Sequence, residues 1–204
     1  MDLVEPVRAF NRVVTERVGA LEDEYLARGR PLGASRVLWE IGNGATDARS
    51  LRSRLSLDSG YLSRLLRLLE SEGLVTVSPS EGDARVRNVE LTRSGRREHQ
   101  LLDRASDDLA SSLLEPLSSS QRDRLIEAMN TVRALLTAGI VDIAIDDPAS
   151  ADAQFCIGEY FNELNSRFET GFDPDMSISA DVDELTEPAG LLEIARLRSE
   201  PIGC

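Results

Sequence analysis

Leu57-Asp58-Ser59-Gly60-Tyr61-Leu62-Ser63-Arg64-Leu65-Leu66-Arg67-Leu68-Leu69-Glu70-Ser71-Glu72-Gly73-Leu74 is the stretch that decides how this chain is read. Leu62, Leu65, Leu66 and Leu69 fall at i, i+3, i+4 and i+7, one face of an amphipathic helix. At about 100° per residue, Gly60, Arg64, Arg67 and Ser71 turn to the opposite face. Asp58 or Ser59 is placed to cap the N-terminus, where a side-chain oxygen accepts an orphan amide hydrogen. Gly73 stands where a helix ends in a left-handed residue. The result is a short helix with a leucine base and a face of Arg, Ser and Gly. Small residues allow close approach to a DNA major groove, and arginines reach phosphates or guanine edges. An ordinary solvated helix would show the same face, so its flanks carry the decision.

Upstream, Ala34-Ser35-Arg36-Val37-Leu38-Trp39-Glu40-Ile41 predicts a short helix with Val37, Leu38 and Ile41 inward, ended by Gly42-Asn43-Gly44. Thr46 or Asp47 caps the next helix, Ala48-Arg49-Ser50-Leu51-Arg52-Ser53-Arg54-Leu55, which breaks at Ser56-Leu57-Asp58. Two short helices joined by a tight turn, the second carrying the basic face, make a helix-turn-helix. Beyond Gly73 the period changes from 3.6 to 2. Leu74-Val75-Thr76-Val77-Ser78 and Arg85-Val86-Arg87-Asn88-Val89-Glu90-Leu91 read as strands, with Pro79-Ser80-Glu81-Gly82-Asp83-Ala84 as the turn between them. This hairpin is a wing. Arg85 and Arg87 share one strand face. An arginine at a wing tip fits a narrow minor groove, and Asp83 is placed to orient Arg85.

Longer helices flank this centre. Residues 3–29 read as one helix with a wide apolar stripe that includes Leu3, Val7, Phe10, Val14, Leu21 and Tyr25. A stripe this wide on a terminal helix points to burial against a second chain. Thr92-Arg93-Ser94-Gly95 starts a helix running to Pro116. A serine among residues 118–120 caps another, with Leu125, Ile126, Met129, Val132, Leu135 and Leu136 on its inner face. Together with the first helix these predict a dimerisation bundle.

The chain has 204 residues, 41% of them apolar, and a net charge of −13. Residues 1–100 hold 16 arginines and 15 acidic residues; residues 101–204 hold 7 and 21. The acidity therefore belongs to the C-terminal half and leaves the helix-turn-helix free to meet nucleic acid. The N-terminus lacks the basic start and apolar core of a signal peptide, and no run approaches a membrane span. A cytoplasmic protein without membrane contact is expected. Cys156, Cys204 and a single His99 provide no metal-ligand spacing, so no metal and no cofactor are expected. Asp173, Asp175, Asp181, Asp183, Glu184 and Glu187 read as a solvated acidic loop.

The order helix, helix, helix-turn-helix, winged hairpin, two long helices resembles the MarR family of transcriptional regulators. Asp58-Ser59-Gly60-Tyr61-Leu62-Ser63-Arg64-Leu65-Leu66 looks like the family's recognition helix, and Leu69-Glu70-Ser71-Glu72-Gly73-Leu74-Val75 like its helix end and first wing strand. Asp83-Ala84-Arg85 through Leu91-Thr92 looks like its D-x-R wing, followed by an L-T-x-x-G entry to the next helix with Gly95 as the glycine. The resemblance covers roughly residues 3–138 and implies a homodimer on a palindromic operator. It further implies an effector small molecule bound between the dimerisation and DNA-binding parts. On this basis Gly60, Ser63, Arg64 and Arg67 are expected at the major groove. Arg85, oriented by Asp83, is expected at the minor groove, and Ser59 and Arg87 at phosphates.

The run Val7-Arg8-Ala9-Phe10-Asn11-Arg12-Val13-Val14-Thr15-Glu16-Arg17-Val18-Gly19 looks like the subset in which such a domain is fused to a GNAT N-acetyltransferase domain. Beyond it, Ile140–Ile145 alternates as a strand, residues 148–168 read as a helix with Phe155, Tyr160, Phe161, Leu164 and Phe168 inward, and Leu191–Leu197 reads as a strand. Tyr160-Phe161, Leu164, Arg167-Phe168 and Gly171-Phe172-Asp173-Pro174 resemble the first part of such an acetyltransferase domain. The glycine-rich coenzyme A loop of that family, which holds phosphates on backbone amides, has no counterpart here. The expected fold is mainly α with a small β wing (α+β). It comprises a winged helix-turn-helix and dimerisation domain over 1–138 and a partial α/β GNAT-like segment over 139–204. The expected function is DNA-binding regulation, with no catalytic residues. The alternative is an N-acetyltransferase of which this chain is an incomplete copy. A third reading makes the acidic tail an interaction surface or a weak DNA mimic.

Overall fold

A computed structural model of the chain describes residues 2–79, 87–168 and 182–204. It divides into two compact units, Met1–Asp123 and Arg124–Cys204. The first holds α1 (Val4–Arg17), α2 (Leu32–Gly42), α3 (Ala48–Leu55), α4 (Ser59–Ser71), β1 (Val75–Pro79), β2 (Arg87–Leu91) and α5 (Arg93–Leu114). The helix α6 (Ser119–Ala138) begins there and runs into the second unit, which adds β3 (Val141–Asp146), α7 (Ala151–Arg167), β4 (Leu192–Leu197) and β5 (Glu200–Gly203).

The core of the first unit forms where the leucine base of α4 meets α2, α3 and α5. Leu38, Leu51 and Leu69 are fully buried, with Val37, Leu62, Leu65, Leu66, Val75, Val89 and Leu102 packed around them. Each such side chain contributes about 1.5–3 kcal/mol over leaving it in water. The helix starts are fixed locally. Asp47 Oδ1 accepts from the amides of Arg49 and Ser50, and Asp58 Oδ1 accepts from that of Tyr61. Ser56, in the left-handed region at φ 52°, turns the chain from α3 towards α4. Gly73 at φ 68° follows the end of α4, where a side chain would be strained.

The wing is antiparallel, with Val75 opposite Leu91 and Val77 opposite Val89. Its second strand is also tied to the start of α3, because the Val89 amide donates to Thr46 O at 2.8 Å and Asp47 bridges Asn88. Thr92 closes the wing onto α5. Its hydroxyl donates to Gly73 O at 2.7 Å and accepts from the Gly95 amide at 3.0 Å. A methyl group on Gly95 would sit 1.9 Å from Leu74 O, so this position admits only glycine.

Two expectations require correction. The first helix does not run from 3 to 29. It ends at Arg17, and the chain turns through Gly19 at φ 66° into a single 3-10 turn, Tyr25–Ala27, with Leu26 and Ala27 at positive φ. Neither α1 nor α6 buries a residue in the single chain, and their apolar stripes are open. In the second unit, β3, β4 and β5 form an antiparallel sheet in that order, the first two falling where strands are expected. Its helix α7, however, packs through Ala153 and Cys156 onto Leu192 and Ile194. Phe155, Tyr160 and Phe168 are exposed, while Phe161 and Leu164 are half-buried. A three-stranded sheet is too narrow to cover more than one short stripe of a 17-residue helix. Arg196 on β4 pairs with Asp146 and with Asp152 at the start of α7, joining sheet to helix. Among the described residues, no helix is long and apolar enough to cross a membrane, and no cluster of ligating side chains that could hold a metal ion is found.

Candidate nucleic-acid interface

The leucine base of α4 faces inward, and its other residues are therefore presented to solvent. Ser59, Gly60, Ser63, Arg64 and Arg67 are all exposed. Their hydrogen bonds hold them close to the helix. Ser63 Oγ donates to Ser59 O at 2.7 Å, and Arg67 Nε donates to Ser63 O at 3.1 Å. Arg64 lies over the Tyr61 ring, its guanidinium carbon 5.6 Å from the ring centroid, an attraction of cation to ring face.

Six of the expected residues can be placed and two cannot. Ser59, Ser63, Arg67 and Arg87 line one groove of about 360 Å³ between α3, α4 and the wing. Gly60 and Arg64 are on the exposed side of α4 but do not line it. Asp83 and Arg85 lie outside the described residues. The groove also takes in Ala48, Arg49 and Arg52 of α3, the leucines Leu62 and Leu66, Glu70 and Val77. Arg49 and Arg52 are additions to the expected set. Their three-residue spacing was visible, but the pairing of β2 with Thr46 that brings α3 beside the wing was not.

A second feature lies where α2 meets α5. Arg28 donates through Nε and Nη2 to the Glu98 carboxylate at 2.9 and 2.6 Å, and Arg30 Nη1 adds a third bond at 2.9 Å. Arg30 Nε also reaches Glu72 at the end of α4. The hydrogen bonds from Arg28, with those from Arg30, hold the Glu98 carboxyl below the usual glutamate range although burial pushes the other way. Burial pulls the Arg30 guanidinium down, and its bonds to Glu72 and Glu98 more than offset this. Beside this network, Tyr25, Leu32, Ser35, Arg36, Trp39, Leu102 and Ser106 line a pocket of about 240 Å³. Trp39 Nε1 donates to Asp103 at 2.8 Å, and the Arg36 guanidinium stacks 4.6 Å over the Trp39 ring. Ser35 Oγ is buried there with no hydrogen-bond partner among the described residues.

The model of the MarR family matches residues 28–86. No curated protein matches the chain. Among solved structures, a cysteine-to-serine mutant of MarR from E. coli, complexed with operator DNA, is 27% identical with a TM-score of 0.52, over 65% of this chain and 99% of that one. The reduced form of MarR from E. coli is 25% identical with a TM-score of 0.54, over 65% and 96%. The PcaV transcriptional regulator from Streptomyces coelicolor shares the fold at 18% identity, with a TM-score of 0.55 over 64% and 96%. Residues 28–86 of this chain thus match the MarR family model, and the chain is similar in fold to solved MarR structures.

Proposed function

We infer that this chain is a transcriptional regulator of the MarR type that binds double-stranded DNA as a homodimer and acts as a repressor on a palindromic operator. The observation that carries the reading is the exposed Ser59-Gly60-Ser63-Arg64-Arg67 face of α4 above a buried leucine base, in a chain similar to a MarR–operator complex. In this reading Gly60, Ser63, Arg64 and Arg67 approach base edges, Ser59 and Arg87 meet phosphates, and Arg85 enters the minor groove beside Asp83. The dimer is supported by the open apolar stripes of α1 and α6. Residues 1–138 form the regulator proper. The pocket around Ser35 is the seat of a small-molecule effector, because an unpartnered buried hydroxyl is stabilised by a ligand that bonds to it.

Residues 139–204 are read as the start of a GNAT-like segment on their sequence resemblance, with no catalytic role. Titration with acetyl-coenzyme A tests that part, and measurable binding would revive the acetyltransferase alternative. The regulator itself is tested by fluorescence anisotropy on a duplex from upstream of its own gene and a scrambled duplex of equal length. A specific regulator binds the native duplex about 10³-fold or more tighter than the scramble. Equal binding to both sinks specific recognition at that locus.

A further inference from the structure

Arg49 and Arg52 stand three residues apart on α3, so they share one helix face. Both are exposed, and both line the groove with Arg67 of α4 and Arg87 of β2. None of these four arginines makes an ion pair among the described residues. Exposed arginines elsewhere, such as Arg104, also make no ion pair among the described residues, and what sets these four apart is that they line one groove. Arg28, Arg30, Arg36 and Arg196 each rest on carboxylates. The chain has 36 acidic residues for 23 arginines, so partners are plentiful. Four guanidiniums nevertheless face a single carboxylate, Glu70, in this groove. Such a cluster is self-repelling until a polyanion enters it.

The position of the groove identifies the polyanion. One side is α3, the floor is α4, and the other side is the wing, represented by Val77 and Arg87. A recognition helix in the major groove and a wing at the minor groove are separated by one sugar–phosphate strand. We propose that the groove is a track for that phosphodiester strand and that Arg49 and Arg52 hold its phosphates. This rests on the DNA-binding reading above and adds two residues to it. Phosphates are the same in every sequence, so these arginines supply affinity and register, not discrimination between bases.

The test compares Arg49→Ala, Arg52→Ala, the double alanine variant, the double lysine variant and Arg104→Ala, an exposed arginine on α5. Each is titrated with the upstream duplex and the scrambled duplex at several salt concentrations. Each alanine should reduce the slope of log affinity against log salt by about one, equally on both duplexes. The affinity ratio between the duplexes should hold, and the lysine variant and Arg104→Ala should keep the wild-type slope. A wild-type slope in the double alanine variant overturns the track while leaving DNA binding intact. A loss confined to the upstream duplex overturns it too, because that is base reading. Absence of salt-dependent binding by the wild-type protein to either duplex removes the DNA-binding reading itself.

Discussion

The Glu98 carboxylate takes three hydrogen bonds from two arginines 70 and 68 residues away in sequence. Its side chain is only 10% exposed, so removing its charge leaves Arg28 without its carboxylate partner and Arg30 with Glu72 alone in a largely buried site. Glu98→Gln should lower stability at pH 7 by about 2 kcal/mol, read as a shift in the urea midpoint. The pH dependence has a definite sign. The folded carboxyl titrates below its ordinary value because the Arg28 and Arg30 bonds favour the charged form. Its contribution is therefore complete above the ordinary glutamate pKa, about 4.3, and is lost as pH falls through the lower folded value. The wild-type protein should lose more stability than Glu98→Gln between pH 5 and pH 3. Parallel profiles for the two proteins would show that Glu98 is not the group being titrated.

Elements differ in how much of themselves they state in sequence. The starts of α3, α4 and α5 were legible because caps act on amides two or three residues away, although the sequence left Thr46 beside Asp47 and Ser59 beside Asp58; Asp47, Asp58 and Thr92 are the residues that accept. Helix α4 was legible because its leucines repeat within one helix. What failed was set by distant partners. Residues 18–29 continue an apolar rhythm, yet the turn at Gly19 and the Tyr25 amide donating to Arg30 O break the helix. The aromatic residues of α7 looked inward, but the sheet beneath meets only the line through Ala153 and Cys156. The groove was half legible, since Arg67 announces itself on the helix and Arg49 and Arg52 depend on how α3 lies beside the wing.

The stripe of α1 supports an element-scale prediction. Val4, Val7 and Phe10 are 61%, 57% and 48% exposed, and an apolar row of this kind on one helix marks an interaction surface. Phe10→Asp should convert the dimer to monomer in sedimentation equilibrium at micromolar concentration, with the winged helix still folded by circular dichroism. It should also weaken DNA binding, since one half-site remains per particle. An unchanged dimer mass in the variant would remove α1 from the interface.

At the scale of the whole molecule, charge is the organising fact. Residues 140–204 carry 15 acidic residues and three arginines, and residues 1–139 carry 21 and 20. Nearly all of the net charge of −13 therefore sits in residues 140–204, outside the stretch 28–86 that matches the MarR family model. Solved MarR structures are covered at 96–99% of their length by about 65% of this chain. A negative segment tethered to a DNA-binding unit lowers the local concentration of DNA through its field. That field is screened within about 10 Å at 0.1 M salt and reaches about 30 Å at 0.01 M. Removing residues 140–204 should raise DNA affinity several-fold at low salt, equally for the upstream and scrambled duplexes, and the gain should vanish above about 0.15 M. The steeper salt dependence of the truncated chain is the reading to look for in the same anisotropy titration. A gain that persists at high salt would instead mean that the acidic segment occupies the arginine groove directly, as a DNA mimic. Unchanged affinity at every salt concentration would make the segment electrostatically silent toward DNA.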